Sequence, residues 1–276
     1  MTTGVALVTG AGGSIGACVA AALADAGFAV AVNDLDANAA ERTVAALSSK
    51  GCRTAAFVAD VGDSAAVRDM VGRIEQELGP VAVLVNNAGK PGKFTLLVDM
   101  SDELWSDTLR VHLFGAFHLI RDCGRRMLRR GSGRIVNVAS LAGTHGTVGS
   151  AEYAAAKAGL INLTRTAAKE LGPFGITVNA IAPGMVATPV NRELQTRGSG
   201  FIDAALQGMP GGRLVAPSEI AALVVFLASE AAANVNGATI PVDGGGSVCL
   251  STDVQMSRYL TARSAYLREI GHASAG

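Results

Sequence analysis

A tyrosine and a lysine stand four residues apart in Ser150-Ala-Glu-Tyr-Ala-Ala-Ala-Lys157, an alanine-rich stretch that reads as helix. Four residues is about one helical turn, so the two side chains project from one face. A free phenol titrates near pH ~10, too high for easy proton exchange at neutral pH, and an ammonium beside it favours the phenolate and lowers that value. Tyr153 with Lys157 is therefore a candidate acid/base unit. Alone, the same spacing occurs on many helix surfaces. What decides is whether the rest of the chain builds a cofactor and substrate site around the pair.

The N-terminal part is organised as such a site requires. Val5 to Val8 is an apolar run of buried-strand type, followed by the turn Thr9-Gly-Ala-Gly-Gly-Ser-Ile-Gly16 and an alanine-rich helix from Ala17 to Ala26. Between a strand and a helix, a glycine-rich turn lets the backbone approach a pyrophosphate, and the helix N-terminus offers free N–H groups and its positive dipole end. Gly10, Ser14, Ile15 and Gly16 are the expected contacts. Phe28 to Asn33 is a second strand, with Asp34 at its end and Leu35 next. An acid roughly 20 residues past the turn can accept from the adenosine ribose hydroxyls, and it repels a 2′-phosphate. No Lys or Arg follows until Arg42, so NAD is expected in preference to NADP. Asp34 has a plainer alternative use as a helix cap, which Asp36 shares.

The alternation continues. Asp36 to Lys50 reads as a helix, Arg53 to Ala59 as a third strand ending at Asp60-Val61, Ser64 to Leu78 as an amphipathic helix, and Val81 to Val85 as a fourth strand before Asn86-Asn-Ala-Gly89. Asp102 to Arg130 reads as two helices and Gly133 to Ala139 as a fifth strand with Ser140 at its end. A helix from Ala151 to Leu171 then carries Tyr153, and Gly175 to Ile181 is a sixth strand running into Pro183-Gly184. Met185 to Gly212 reads as a mobile, irregular segment, Ser218 to Ala228 as a helix and Ala238 to Val242 as a seventh strand. The pattern predicts an α/β protein: one doubly wound (Rossmann) domain over 1–276, with a seven-stranded parallel sheet flanked by helices, a core at 4–246 and an extension at 247–276. Within the extension, Val254 to Ile270 has helical apolar spacing, and its placement over a second subunit or over the substrate cleft stays open.

Taken together, Thr9-Gly-x-x-x-x-x-Gly16, Asp60, Asn86-Asn-Ala-Gly89, Ser140, Tyr153-x-x-x-Lys157, Asn179 and Pro183-Gly184 resemble the signatures of the short-chain dehydrogenase/reductase family, over nearly the whole chain. The resemblance implies hydride transfer between a nicotinamide and a secondary alcohol or ketone, without a metal. Tyr153 would be the general acid or base, Ser140 would hold the substrate oxygen, and Lys157 would bind the nicotinamide ribose. Asp34 would bind the adenosine ribose, Asp60 and Val61 would line the adenine pocket, and Asn87, Ala88 and Gly89 would pack on the cofactor. Pro183, Gly184, Val186 and Thr188 would meet the nicotinamide half, and His145 is a candidate substrate contact. The resemblance also implies a homotetramer, or a homodimer, in which the long helices containing His112 and Tyr153 pack across an interface.

Two positions depart from the family pattern. Ser14 stands where a third glycine is usual, which is tolerable if its φ stays negative. His112 stands where many relatives have an asparagine that holds a relay water next to the lysine; an imidazole that donates, accepts and titrates near neutrality can take over that task, or can simply be packed in the helix.

Composition excludes other classes. Hydrophobic residues make up 49% and charged residues 17%, and the formal net charge of zero gives no sign of a nucleic-acid or anionic-membrane partner. No apolar run approaches the ~20 residues of a membrane helix, and the N-terminus lacks the basic start of a signal peptide. Four widely spaced cysteines offer no metal-ligand pattern and suit a reduced, cytoplasmic setting. His118 and Trp105 read as packing residues, Arg125 to Arg130 as a solvated helix end, and Asp243-Gly-Gly as a structural turn. A 3-oxoacyl-carrier-protein or hydroxyacyl-thioester reductase is the alternative enzyme. A non-catalytic dinucleotide sensor is the alternative outside enzymes.

Overall fold

The computed structural model describes residues 4–90, 94–196, 202, 203, 206 and 209–249. Contacts divide the chain into two units, Met1–Pro183 with Ala216–Val242 and Gly184–Val215 with Asp243–Gly276.

The first unit is built on β1 (Val5–Thr9), β2 (Ala29–Asp34), β3 (Thr54–Val58), β4 (Val81–Asn86), β5 (Gly133–Val138), β6 (Ile176–Pro183) and β7 (Thr239–Val242). They form a single seven-stranded sheet in the order β3-β2-β1-β4-β5-β6-β7, with every pairing parallel. The strands are near-continuous apolar runs because both sheet faces are covered by helices. Those helices are α1 (Ser14–Asp25), α2 (Ala37–Ser48), α3 (Ser64–Glu77), α4 (Asp102–Leu109), α5 (Gly115–Arg130), α6 (Ala142–His145), α7 (Ala151–Leu171) and, after the second unit's α8 (Pro189–Thr196), α9 (Pro217–Ala228). Between β1 and β4 the order reverses, so the loops after those strands diverge and open a crevice at the strand carboxyl ends.

Several boundaries move from their expected places, each for a local reason. The first helix starts at Ser14, not Ala17. The stretch from Asp102 to Arg130 is not interrupted: α4 and α5 are joined by a π-helical turn, Arg110–Phe114. No proline falls in that stretch to break it, and the π turn takes up one extra residue within a continuing helix. The irregular stretch expected at Met185 to Gly212 contains α8, opened by Pro189, a residue suited to a helix start. The basic run near the end of α5 is not merely solvated. Arg126 and Arg130 both pair with Glu75 at 2.9 and 3.0 Å, and Arg130 also donates to the Val81 carbonyl, so this run fastens α5 to α3 and to β4.

Polar side chains tie the strands laterally. Asn33 donates to the Phe57 and Ala59 carbonyls, joining β2 to the chain at and beyond β3. Thr9 donates to the Val85 carbonyl and accepts from the Asn87 and Ala88 amides. Asn86 donates to Asn137 at 2.7 Å, and Asn137 donates to Thr164 of α7 at 2.8 Å. Asn33, Thr9, Asn86, Asn137 and Thr164 are all buried, and these bonds meet in the protein a need that water meets elsewhere; Asn86 Oδ1, by contrast, has no partner among the described residues.

In the second unit, Val186 and Val215 form a parallel bridge, and Asp243 accepts from the Gly245 and Ser247 amides, closing the turn expected there. The Val254 to Ile270 segment lies outside the described residues.

Candidate active site

Tyr153 and Lys157 lie within α7, whose bounds match the expected Ala151 to Leu171. Lys157 is buried, and its ammonium donates to the Val138 carbonyl at the end of β5 at 2.6 Å. Burial lowers its pKa to about 8, since a low-dielectric setting disfavours the charged form. Ser140 follows β5 closely; its Oγ accepts from the Ala142 amide at 3.1 Å and it is hydrogen-bonded to Tyr153. The ends of β5 and α7 thus bring serine, tyrosine and lysine together.

The electrostatics differ from the expectation for an isolated pair. The Tyr153 pKa is raised, not lowered, chiefly because the phenol is desolvated, with the Ser140 hydrogen bond opposing. The Lys157 ammonium donates to a carbonyl and lies 5.6 Å from the centre of the tyrosine ring. Burial outweighs the one opposing contact, the Ser140 hydrogen bond.

His112 is the buried residue at the centre of the π turn. Its ring meets Tyr153 edge to face, with centroids 5.1 Å apart and planes at 89°. Nε2 lies 3.2 Å from the Lys90 amide nitrogen and 3.3 Å from the Lys90 carbonyl oxygen, so a neutral ring accepts from one or donates to the other. Nδ1 is buried and has no hydrogen-bond partner among the described residues. His112 shares with Thr9, Asn86 and Lys157 the lining of a cavity of about 10 Å³, the size of one water. Burial, with Lys157 adding to it, lowers the His112 pKa to about 3. Titration near neutrality, expected from the residue type, does not occur here; a relay through this ring would use its neutral form.

The cleft at β1 and β2 fits a dinucleotide. The first turn of α1 has no side-chain cap at Gly13, which leaves its N–H groups to an anion, and a side chain at Gly13 would meet nothing nearer than the Gly10 oxygen at 3.4 Å. Gly10 sits at φ 62°, whereas a Cβ at Gly16 would strike the Gly10 carbonyl. Ser14 lies inside α1, and no described non-glycine residue has positive φ, so the serine meets the condition for tolerance. Asp34 accepts from the Gly12 amide at 2.9 Å and from the Asp36 amide at 3.0 Å, which places a carboxylate against the glycine turn. The helix-cap alternative goes to Asp36, whose side chain accepts from Asn38 and Ala39.

A family model described as "Enoyl-(Acyl carrier protein) reductase" matches residues 10–247. The chain belongs to the short-chain dehydrogenase/reductase family. It is 44% identical over 245 residues to "Short-chain reductase protein NovJ" of Streptomyces niveus, covering 87% of this chain and 93% of that one. To "3-oxoacyl-[acyl-carrier-protein] reductase FabG" of Pseudomonas aeruginosa it is 42% identical over 241 residues, covering 87% and 96%. Among solved structures, an NAD+-bound xylitol dehydrogenase superposes with a TM-score of 0.83 at 34% identity, over 88% of this chain and 98% of that one. An actinorhodin polyketide ketoreductase variant with NADPH gives a TM-score of 0.83 at 36% identity, over 89% and 97%. This short-chain dehydrogenase/reductase is an oxidoreductase whose relatives bind nicotinamide dinucleotides of both kinds.

The other expected contacts fall as follows. Ile15 is in the first turn of α1, and Leu35 is exposed just after Asp34. Asp60 accepts from the Gly62 amide and pairs with Arg110 at 2.7 Å, and the Val61 carbonyl contacts His118 Nδ1 at 3.2 Å. Asn87 donates to the Thr9 and Gly10 carbonyls, with Ala88 and Gly89 following. Pro183 ends β6 and accepts from the Leu141 amide. Gly184, Val186 and Thr188 belong to the second unit, where Thr188 accepts from the Asn191 amide at the start of α8. His145 is exposed at the end of α6 and contacts Thr144. Sequence reasoning missed Arg110, whose link to Asp60 spans 50 residues. It also missed Glu152, which is fully buried with neither carboxylate oxygen hydrogen-bonded among the described residues. No local pattern marks either one.

The His112 shift has a stability consequence. The unfolded chain takes up this proton near pH 6.5 and the folded chain only near pH 3, so acid favours unfolding between those values. The His112 contribution is complete above pH 6.5 and is lost toward pH 3, by on the order of 4 kcal/mol. Urea unfolding at pH 4 and pH 7 should show a smaller loss on acidification in His112→Asn than in the parent protein.

Proposed function

We propose that this protein is an NAD-dependent dehydrogenase/reductase that interconverts a secondary alcohol and its ketone, with Tyr153 as the acid/base. The observation that carries the reading is the convergence of Ser140, Tyr153 and Lys157 where β5 ends and α7 begins. When bound, the nicotinamide supplies or takes up the hydride at the substrate carbon. Ser140 orients the substrate oxygen toward Tyr153. In reduction, the Tyr153 hydroxyl gives its proton to that oxygen; in oxidation, the phenolate takes the proton back. A raised Tyr153 pKa suits the acid role at neutral pH, and it makes the oxidative rate climb as pH rises. Lys157 would hold the nicotinamide ribose. Tyr153→Phe should lower turnover by at least ~10²-fold. In the same assay, His112→Asn should keep most activity and His112→Leu should lose most of it, if His112 serves a proton relay as a neutral ring. Unchanged turnover in Tyr153→Phe would reject the mechanism and favour a dinucleotide sensor.

Asp34 supports NAD over NADP, because its carboxylate stands against the glycine turn where a 2′-phosphate would be repelled. Gly10, Ser14, Ile15 and Gly16 would take the pyrophosphate, and Asp60 and Val61 the adenine. Absorbance at 340 nm should register a kcat/KM at least about tenfold higher with NAD than with NADP, and Asp34→Ala should narrow the gap. The opposite preference defeats the reading of Asp34.

The substrate is a neutral, partly apolar alcohol or ketone. Phe94 and Val148 are apolar and exposed at 72% and 78%, on segments that the Thr95–Ser150 bridge joins just before Tyr153. Resemblance to 3-oxoacyl-carrier-protein reductases favours a second reading, with an acyl thioester as substrate. A panel of secondary alcohols, sugars, steroids and hydroxyacyl thioesters in the same assay separates the two. Unpaired cysteines at all four positions agree with a reducing, cytoplasmic setting, and among the described residues no helix is long and apolar enough to cross a membrane.

The protein assembles as a homotetramer. An apolar groove of about 240 Å³ runs between α5 and α7, lined by Phe117, Ile120, Leu128, Leu163 and Ala167, and it suits a second copy of the same helices. Light scattering should give the mass of four chains, and Phe117→Arg should reduce it. A monomeric parent protein refutes this.

A further inference from the structure

We propose that Arg110 is a positioning residue that links the two ends of the cofactor cleft. One arm of its guanidinium holds Asp60 at the adenine end; the other, through Asp107 and Lys90, holds the His112 ring against Tyr153. The inference rests on the reading of Asp60 as an adenine-end residue and of Tyr153 as the acid/base.

Arg110 opens the π turn that also contains His112. Its Nη1 donates to Asp60 at 2.7 Å, while Nη2 and Nε donate to Asp107 at 3.1 and 3.3 Å. The planar fork of an arginine can hold two acids in fixed directions, which a lysine cannot. The other oxygen of Asp107 receives the Lys90 ammonium at 2.6 Å. Lys90 is also the residue whose backbone N–H and C=O meet His112 Nε2, and the His112 ring in turn lies edge-on to Tyr153. A continuous polar chain therefore runs from Asp60 to the ring beside the catalytic phenol.

Two glycines make the chain possible. A Cβ at Gly62 would collide with the Arg110 guanidinium, and a Cβ at Gly89 would collide with the His112 ring. The turns after β3 and β4 are thus shaped to let these two side chains lie against backbone. The charges balance, with two acids and two bases in alternation. The Asp107 pKa is lowered first by its bond to Lys90, and the Arg110 pKa is raised first by its bond to Asp60. The members are one-third to one-half exposed, so each link has a modest effect.

The arms can be separated in the full-length protein. Calorimetry measures NAD affinity, ¹⁵N resonances of the labelled histidine rings report His112, and kcat reports the chemistry. Arg110→Met should weaken NAD by about fivefold, lower kcat by a similar factor and move the His112 ring resonances. Asp107→Asn should lower kcat by about fivefold and move the same resonances, with NAD affinity within about twofold of the parent. A merely structural role would not divide affinity from turnover in this way. If Arg110→Met fails to fold, the Asp107→Asn pattern still decides the His112 arm, and Asp60→Asn, expected to weaken NAD while His112 stays in place, decides the other. Unmoved ring resonances in Asp107→Asn, or unchanged NAD affinity in Arg110→Met, overturn the inference. Failure of the parent protein to bind NAD is a distinct result: it overturns the cofactor reading and the adenine arm, while the ring resonances remain a test of the other arm.

Discussion

The carboxyl ends of the central strands are tied to one another by side-chain amides and hydroxyls, and the candidate site stands on those ties. A parallel sheet buried on both faces takes its polar side chains out of bulk water, so they must find partners in the protein. Asn33 therefore spans to the chain beyond β3, Thr9 spans from β1 to β4, and Asn86 reaches Asn137, which reaches Thr164 on α7. The last of these connections bears on the chemistry, because α7 carries Tyr153 and Lys157. The helix is fixed to β5 by the Asn137–Thr164 bond and again by the Lys157–Val138 bond. Its register against the strand, and hence the distance from Ser140 to Tyr153, follows from those two contacts.

Burial then sets the electrostatics of the site. The Lys157 ammonium, the Tyr153 hydroxyl and the His112 ring share a desolvated region, and each shifts toward its neutral form. Lys157, at about 8, remains largely charged at neutral pH, so it is the cation of these three. It meets a carbonyl, and the Ser140 hydrogen bond only partly opposes the desolvation of the phenol. Such a site favours a protonated tyrosine and leaves the phenolate to higher pH. Enclosure of ionisable groups costs stability, which the well-packed sheet beside them offsets.

Close approach is the recurring device around the site. Gly16 packs on the Gly10 carbonyl, Gly62 underlies Arg110 and Gly89 underlies His112. The π turn serves the same end from the helix side, since it places His112 within reach of both the Lys90 backbone and Tyr153. The Arg110 and His112 side chains thereby lie close to backbone, where their polar contacts form.

Much of this was legible in the chain itself. Apolar runs alternating with amphipathic stretches determine seven strands and their crossover helices, because a buried parallel strand and a half-buried helix have different periods. The glycine turn, Asp34, Ser140 and the Tyr153–Lys157 spacing are local patterns, and their types and positions could be read without coordinates. What tertiary structure alone decided are relations between distant residues. Arg110 meets Asp60 across 50 residues, Arg126 meets Glu75 across 51, and His112 meets Lys90 across 22. The direction of the Tyr153 and His112 shifts belongs to the same class. The neighbouring lysine in the sequence suggested a lowered phenol, and the residue type suggested a histidine titrating near neutrality. Desolvation, which depends on everything packed around a group and on nothing local to it, reversed the first and overrode the second.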